Sequence, residues 1–414
     1  MSTQTGSTWQ VRSLTEADWD DLHHVDSHAF GATAPDELVE LERETHEITR
    51  DIGAYDGTTL VGIAGAYSFE IGVPGSTLPV AGVTWVGVLP THRRRGVLRA
   101  LMRHQLHSIH DTGREPVAIL WASEPQIYGR FGYGLASRLL SMTVPRDPQA
   151  LHAGFPIDPA LRLRLADPAD WKVLAGVYQN VSRHRPGMPA RDERWWRRAV
   201  SDVPAMRNGK SALRCVVAED GGAVRGFALY ATKQHFDDSF GSGQVDVREV
   251  MAADGPALAA VYRYLFDLDL MGSAHLWNVP VDDPLLHWLQ NPRRAKPALH
   301  DGLYARLVDL DRALGARRYA AEVDLVLDVT DDLCPWNAGR WRLRGGPDAA
   351  RCERSGDEPD LQLGVTELGA AYLGGTPLAE LALAGRVVER RPGALAAAST
   401  AFGQTPAPWC PRVF

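Results

Sequence analysis

The residues most able to do chemistry run Val86-Gly87-Val88-Leu89-Pro90-Thr91-His92-Arg93-Arg94-Arg95-Gly96-Val97-Leu98. In order they read as an apolar strand, a proline turn, a cationic loop with a glycine, and the start of a helix. That arrangement holds a pyrophosphate: loop N–H groups donate, the helix points its positive end at the anion, and the arginines add charge. Three arginines alone would describe a basic surface turn equally well. The strand, turn, Arg-x-x-Gly and helix together mark an anion cradle. Further on, the apolar strand Val117–Trp121 turns through Ala122-Ser123-Glu124-Pro125 into Ile127-Tyr128-Gly129-Arg130-Phe131-Gly132-Tyr133-Gly134. Tyr128 is either a core aromatic beside a glycine turn or a phenol that, with an ordinary pKa of about 10, donates a proton to a leaving group at neutral pH.

Other residues carry weaker signals. His24 and His28 lie four apart near Asp20 and Asp21, but no third ligand is spaced for zinc, so a polar helix face is expected and no metal. Asp26 in the same predicted helix is a candidate to meet a cationic substrate, and the Trp121 indole a candidate to line its pocket. The twelve tryptophans, including Trp195-Trp196, otherwise read as core or subunit contacts. There is no Gly-x-Ser-x-Gly elbow, and Gly129, Gly132 and Gly134 read as turn glycines rather than a dinucleotide fingerprint.

The elements around these residues occur twice. Val11-Arg12-Ser13-Leu14-Thr15-Glu16-Ala17-Asp18-Trp19 returns 152 residues later as Leu163-Arg164-Leu165-Ala166-Asp167-Pro168-Ala169-Asp170-Trp171. Each predicts a short strand ending at a helix cap: Thr15 with Asp18 at N3 in the first, Asp167 with Pro168 at N1 in the second. Hairpins follow at 52–67 and 215–230, then strands at 81–88 and 244–250, then helices near 96–110 and 255–267. The second copy reads Met251-Ala252-Ala253-Asp254-Gly255-Pro256 after its strand, with no arginine and a carboxylate where a phosphate would sit. The duplicated fold is therefore expected to have kept its shape and lost its anion site. From 301 the pattern changes. A helix is predicted over Leu303–Leu310, strands over 321–329, 339–343 and 361–365, a loop over 345–360, and helices over 367–373, 377–384 and 392–402. The chain ends in the proline-stiffened Pro406-Ala407-Pro408-Trp409-Cys410-Pro411-Arg412-Val413-Phe414.

Composition sets the class. At 414 residues the chain exceeds one ordinary core, and 45% apolar with 23% charged residues is globular. A net charge of −7 argues against nucleic acid as a partner and suits a cationic small molecule. No run of eighteen apolar residues occurs, which argues against a membrane partner. Met1–Ser7 has neither the basic start nor the apolar core of a signal peptide, and Cys215, Cys334, Cys352 and Cys410 are scattered, so reduced thiols and a cytoplasmic location are expected.

The run Pro90–Gly96, with Ser123-Glu124 and Ile127–Tyr133, resembles the actinobacterial Eis (enhanced intracellular survival) family of GNAT acetyltransferases. The superfamily's cofactor loop is Gln/Arg-x-x-Gly-x-Gly/Ala, and Leu98 departs from its last position. The resemblance covers essentially the whole chain. It implies an α/β (α+β) fold: two tandem GNAT domains with mixed twisted sheets and flanking helices (1–150, and a degenerate 151–300), then a sterol-carrier-protein-like α+β domain over 301–414. It implies an acetyl-CoA-dependent N-acetyltransferase of primary amines, aminoglycoside-like polyamines or lysine side chains, working as a homo-hexamer by direct transfer. The backbone of Val86, Gly87 and Val88 would pair with the pantetheine arm, and Arg94, Arg95, Gly96, Val97, Leu98 and Arg99 would cradle the pyrophosphate. Ser123 and Glu124 would lie along the cofactor, Tyr128 would protonate the thiolate, and the terminal carboxylate of Phe414 would accept the amine proton. An ordinary α-carboxylate has a pKa of only about 3.3–3.7, so that last role requires desolvation or a water relay. Arg412 and Val413 add no negative charge beside it. A reading from another class is a non-enzymatic carrier that holds an apolar ligand in the third domain.

Overall fold

The computed structural model describes residues 9–147, 151–152, 154–236 and 241–414; the opening Met1–Ser7 and the boundary at residue 150 lie outside them. In chain order the first elements are β1 Gln10–Ser13, α1 Trp19–Phe30, α2 Asp36–Thr45, β2 Ile52–Asp56, β3 Thr59–Val73, β4 Ser76–Val88, α3 Val97–Thr112, β5 Val117–Trp121, α4 Pro125–Tyr128 and β6 Gly134–Leu135. Next come β7 Arg138–Pro145, β8 Arg162–Ala166, α5 Lys172–His184, α6 Glu193–Val200, β9 Arg214–Asp220, β10 Ala223–Lys233, β11 Gly243–Ala252, α7 Gly255–Asp267, β12 Met271–Pro280, α8 Leu285–Trp288 and β13 Ala298–Asp301. The remainder is β14 Leu303–Leu307, α9 Leu310–Ala316, β15 Val323–Thr330, β16 Gly339–Gly345, β17 Ala350–Arg354, β18 Leu361–Gly364, α10 Val365–Ala371, α11 Leu378–Leu383, β19 Val387–Glu389 and α12 Ala394–Phe402.

Three sheets result, ordered β1-β2-β3-β4-β5-β14-β6, β13-β7-β12-β11-β10-β9-β8 and β17-β16-β15-β18-β19. The chain divides into two compact units. One runs up to Ser137 and adds Gly302–Gln404 and Val413–Phe414; the other is Arg138–Asp301 with Thr405–Arg412. The duplication is visible strand for strand. In each of the first two sheets an antiparallel hairpin (β2–β3, β9–β10) leads to a long strand (β4, β11), a helix (α3, α7) and a parallel partner strand (β5, β12).

Thr15 and Asp18 form the expected capping box. Three local expectations are corrected. Leu303–Leu310 is not a helix: Leu303–Leu307 is a strand, buried at every position, lying antiparallel to both β5 and β6. Two flanking strands each offering a ladder outweigh the local helical pattern. Asp167 does not cap a helix; its carboxylate accepts from Ala169 N at 2.9 Å in a turn, and α5 begins at Lys172. The 345–360 loop contains β17, which pairs with β16 from Trp341↔Arg354 to Gly345↔Ala350.

Candidate active site: a splayed strand pair and an open helix end

The cleft begins with a bulge. The β3–β4 register slips between Ile63/Gly65, and Trp85 takes φ 52 there, its indole N–H donating to the Tyr67 hydroxyl at 3.1 Å. The bulge turns β4 away from β5. Their parallel pairing covers only Val80–Gly82 against Val117–Ile119, while β4 stays paired to β3 through Ile63↔Gly87 and Gly62↔Val88. Beyond Gly82 the edge of β4 facing β5, which includes Val86, Gly87 and Val88, has no strand partner among the described residues. Peptide groups in a half-buried strand need hydrogen bonds, so this edge accepts an extended chain bearing amides.

β4 runs into the cationic loop. Pro90–His92 makes a 3-10 turn, and Arg94 (φ 62) and Gly96 (φ 88) take left-handed backbone before α3. Gly96 is the cap and brings no side chain; the first intrahelical bond is Ala100 N to Gly96 O at 3.0 Å. The N–H groups of Gly96, Val97, Leu98 and Arg99 thus have no intrahelical acceptor. Arg94, Arg95 and Arg99 are exposed around them. Arg93 serves the fold instead, donating to Ala29 O at 2.8 Å and Val88 O at 3.4 Å. Arg95 lies 3.9 Å from Asp56 and 5.0 Å above the Trp9 ring, and the Trp9 indole donates to Arg95 O. Nothing local in the sequence ties Trp9 or Asp56 to this loop, which lies 86 residues from Trp9 at Arg95 and 36 from Asp56 at His92.

The second sheet answers the same positions differently. Asp254 caps α7, its carboxylate accepting from Ala257 N at 3.0 Å and from Arg225 at 2.9 Å. Pro256, in the first turn, has no N–H to offer. The end that is open in the first unit is closed here by the chain's own anion.

Across the first cleft, Ser123 and Glu124 are exposed after β5, with Glu124 at the start of α4. Tyr128 is 5% exposed, in a cluster with Ala81, Val83, Met102, Leu106 and Tyr133. Burial, with Glu124 adding to it, pushes its phenol up to about 12. Ala81 and Val83 put that cluster on one face of the sheet. Gly82 faces the other, and there a Cβ would meet Phe69 at 2.5 Å and the Phe414 ring at 3.3 Å. Phe414 packs edge-on to Phe69 at 5.0 Å. Tyr128 and the terminal residue therefore approach the start of the splay from opposite faces. Strand alternation puts Trp121 on the Phe414 face, and its buried indole N–H finds no hydrogen-bond partner among the described residues.

That face continues as rings the sequence did not flag: His23–Trp85 at 5.3 Å, His46–Trp85 at 5.1 Å and Trp19–His46 at 4.9 Å, with His46 Nε2 bonded to Asp51. Asp26 on α1 is half-buried, and burial with neighbouring Glu42 raises its carboxyl to about 6. The His24 and His28 rings lie 4.3 Å apart at a tilt of 42° on the surface, and among the described residues no group of three or more His, Cys, Asp or Glu is placed to hold a metal. The cysteines are free, and no described helix is long and apolar enough to cross a membrane.

Known proteins share this architecture. Residues 10–136 and 187–307 each match an acetyltransferase (GNAT) domain family, and 310–411 a sterol carrier protein domain. An uncharacterised N-acetyltransferase of Streptomyces avermitilis is 46% identical over 98% of this chain and its own full length. N-acetyltransferase Eis of Mycobacterium bovis is 33% identical over 91% of this chain and 92% of its own. The solved structure of Eis1 from Mycobacterium abscessus superposes with a TM-score of 0.82 at 33% identity, covering 98% of this chain and all of that one. Two GNAT domains followed by a sterol-carrier domain thus make up this chain, and it belongs to the Eis family of GNAT N-acetyltransferases.

Proposed function

We propose that the chain transfers the acetyl group of acetyl-CoA directly to a primary amine in the first GNAT domain. The observation that carries this is the pairing of a strand edge left open beyond Gly82 with four N–H groups that have no intrahelical acceptor at the start of α3. The amides of a pantetheine arm suit the edge of Val86, Gly87 and Val88. Its pyrophosphate suits the N–H groups of Gly96–Arg99 and the charge of Arg94, Arg95 and Arg99. Ser123 and Glu124 then flank the cofactor. The amine nitrogen attacks the thioester carbon, N–C forms, and strand-end N–H groups near Val88 stabilise the oxyanion of the tetrahedral intermediate. The C–S bond then breaks, Tyr128 gives its proton to the leaving thiolate, and the Phe414 carboxylate takes a proton from nitrogen. Acid and base on opposite faces of the sheet match a nucleophile that enters from one side and a thiolate that leaves from the other. Asp26 and Trp121 are assigned to the acceptor. Primary amines, lysine side chains and aminoglycoside-like polyamines are the acceptor classes to compare; Arg412 and Val413 put no acidic group beside the terminus to draw in a polycation.

The carrier reading loses support in the third domain. Arg317 is fully buried there, donating to the carbonyls of Ala371, Tyr372 and Phe402 among the rings of Tyr319, Tyr372 and Phe402, so a cation fills interior an apolar ligand would need. Appending one residue after Phe414 tests the mechanism through thiol release from acetyl-CoA. The expected result is a large loss of kcat with the acetyl-CoA KM unchanged; full activity would remove Phe414 from the chemistry.

A further inference from the structure

The second sheet repeats the splay of the first. β11 and β12 pair in parallel from Gly243↔Met271 to Val247↔Leu276 and then separate. In the first unit the last residue of β5 paired to β4 is Ile119, and Trp121 stands two beyond it; in the second, the last residue of β12 paired to β11 is Leu276, and Asn278 stands two beyond it. The gap there holds the chain's own C-terminal segment. Asn278 Oδ1 accepts from the Trp409 indole at 2.6 Å, and Asn278 Nδ2 donates to Cys410 O at 3.0 Å. Trp409 N donates to Pro186 O at 2.9 Å. Ala407 is gripped from both sides: Arg185 donates to its carbonyl at 2.7 Å, Asp282 accepts from its N–H at 2.8 Å, and Arg185 and Asp282 pair with each other at 2.7 Å. Trp409 is 5% exposed and Cys410 1%. The cavity that remains beside Trp409, along Glu249–Ala252 and Trp277–Pro280, measures about 90 Å³. Ligand pockets usually run to about 300–1,000 Å³, so the segment has taken the space.

Two features make this a positioning device rather than a surface seam. Pro406, Pro408 and Pro411 fix φ through the segment, so holding Ala407, Trp409 and Cys410 leaves it little freedom. Four residues then remain to Phe414, a tether of at most about 14 Å. We propose that residues 405–412 act as a latch, in which Asn278 and Trp409, seated in the β11–β12 gap, position the terminal carboxylate for proton transfer. On this reading the duplicated cleft was not simply lost; it became the receptor for the tail. The proposal rests on the role given to Phe414, and the test separates the two.

Trp409→Phe keeps the ring and deletes one hydrogen bond; Asn278→Leu deletes both side-chain bonds. Each is measured in the full chain and in a chain ending at Arg412, with kcat and both KM values. The expected result is a three- to tenfold drop in kcat for Trp409→Phe, of the size one lost hydrogen bond supports. The drop for Asn278→Leu is larger, the acetyl-CoA KM is unchanged, and neither substitution has any further effect in the shortened chain. If both folded variants keep full kcat while the shortened chain loses it, the latch is overturned and the terminal carboxylate stands. If the variants cost as much in the shortened chain as in the full one, their role is structural and the latch is again overturned. If the shortened chain is fully active, the role of Phe414 falls and the latch with it. Should Asn278→Leu fail to fold, Trp409→Phe alone decides.

Discussion

Tyr128 suits an acid because its environment opposes ionisation: burial, with Glu124 nearby, pushes the phenol up to about 12. A raised pKa keeps the proton on oxygen through the neutral and mildly alkaline range, so the acid form is not depleted as the pH rises. Tyr128→Phe is expected to lower kcat by about a hundredfold with little change in the acetyl-CoA KM, and the wild-type profile should show no alkaline limb from this residue below about pH 10. A limb near pH 9 that vanished in the variant would contradict the assignment. Asp26 has the opposite use. Its carboxyl, raised to about 6 by burial and Glu42, is ionised at pH 7.5 and protonated at pH 5. If it meets the ammonium, the amine KM should rise as the pH falls through 6, and Asp26→Asn should raise KM at pH 7.5 and flatten that dependence; an unchanged profile would remove Asp26 from the acceptor site. Both side chains could be picked out of the sequence by type and spacing. Trp85, Phe69 and the His46–Asp51 pair could not, because their role depends on a bulge and on rings from separate strands.

At the scale of elements, the contrast between the two helix ends carries the argument. α3 is capped by a glycine that brings no side chain to its first N–H groups, and α7 by Asp254, which accepts from its own. That difference was readable directly as Arg93-Arg94-Arg95-Gly96 against Ala252-Ala253-Asp254-Gly255, since capping is local chemistry. Gly96→Asp places a carboxylate at the first helix end as well, on a left-handed backbone (φ 88) that adds strain to the charge. A carboxylate about 4 Å from a phosphate costs about 4 kcal/mol at an effective dielectric of 20, so the acetyl-CoA KM should rise at least about tenfold even after screening. Isothermal titration with acetyl-CoA checks this, and unchanged affinity would mean the phosphates bind elsewhere. Leu303–Leu307 departs from its helical expectation for the converse reason. Its apolar run is ambiguous between helix and strand, and only its partners, β5 and β6, settle which.

Over the whole molecule, the duplication was legible because each copy repeats the same local order of hairpin, strand and helix. The sheets' membership was not: β7 joins the second sheet and β14 the first, and such pairings leave no local trace. β14 is fastened by a fully buried pair, Arg306 donating to Asp331 at 2.9 and 2.7 Å, with Asn337 completing the carboxylate. Asp331→Ala leaves that guanidinium buried without a counter-ion and should destabilise the first unit by about 3–5 kcal/mol, read by urea unfolding; a loss under 1 kcal/mol would show that the pair does not hold the strand. The central claim is that the open cleft of the first unit holds acetyl-CoA for an amine. Its most direct test is thiol release from acetyl-CoA over a panel of primary amines, comparing the natural chain with Arg94→Ala/Arg95→Ala. Amine-dependent release by the natural chain is expected, with an acetyl-CoA KM raised by about tenfold or more in the double variant. Release that needs no amine, or an acetyl-CoA KM indifferent to both arginines, would contradict it.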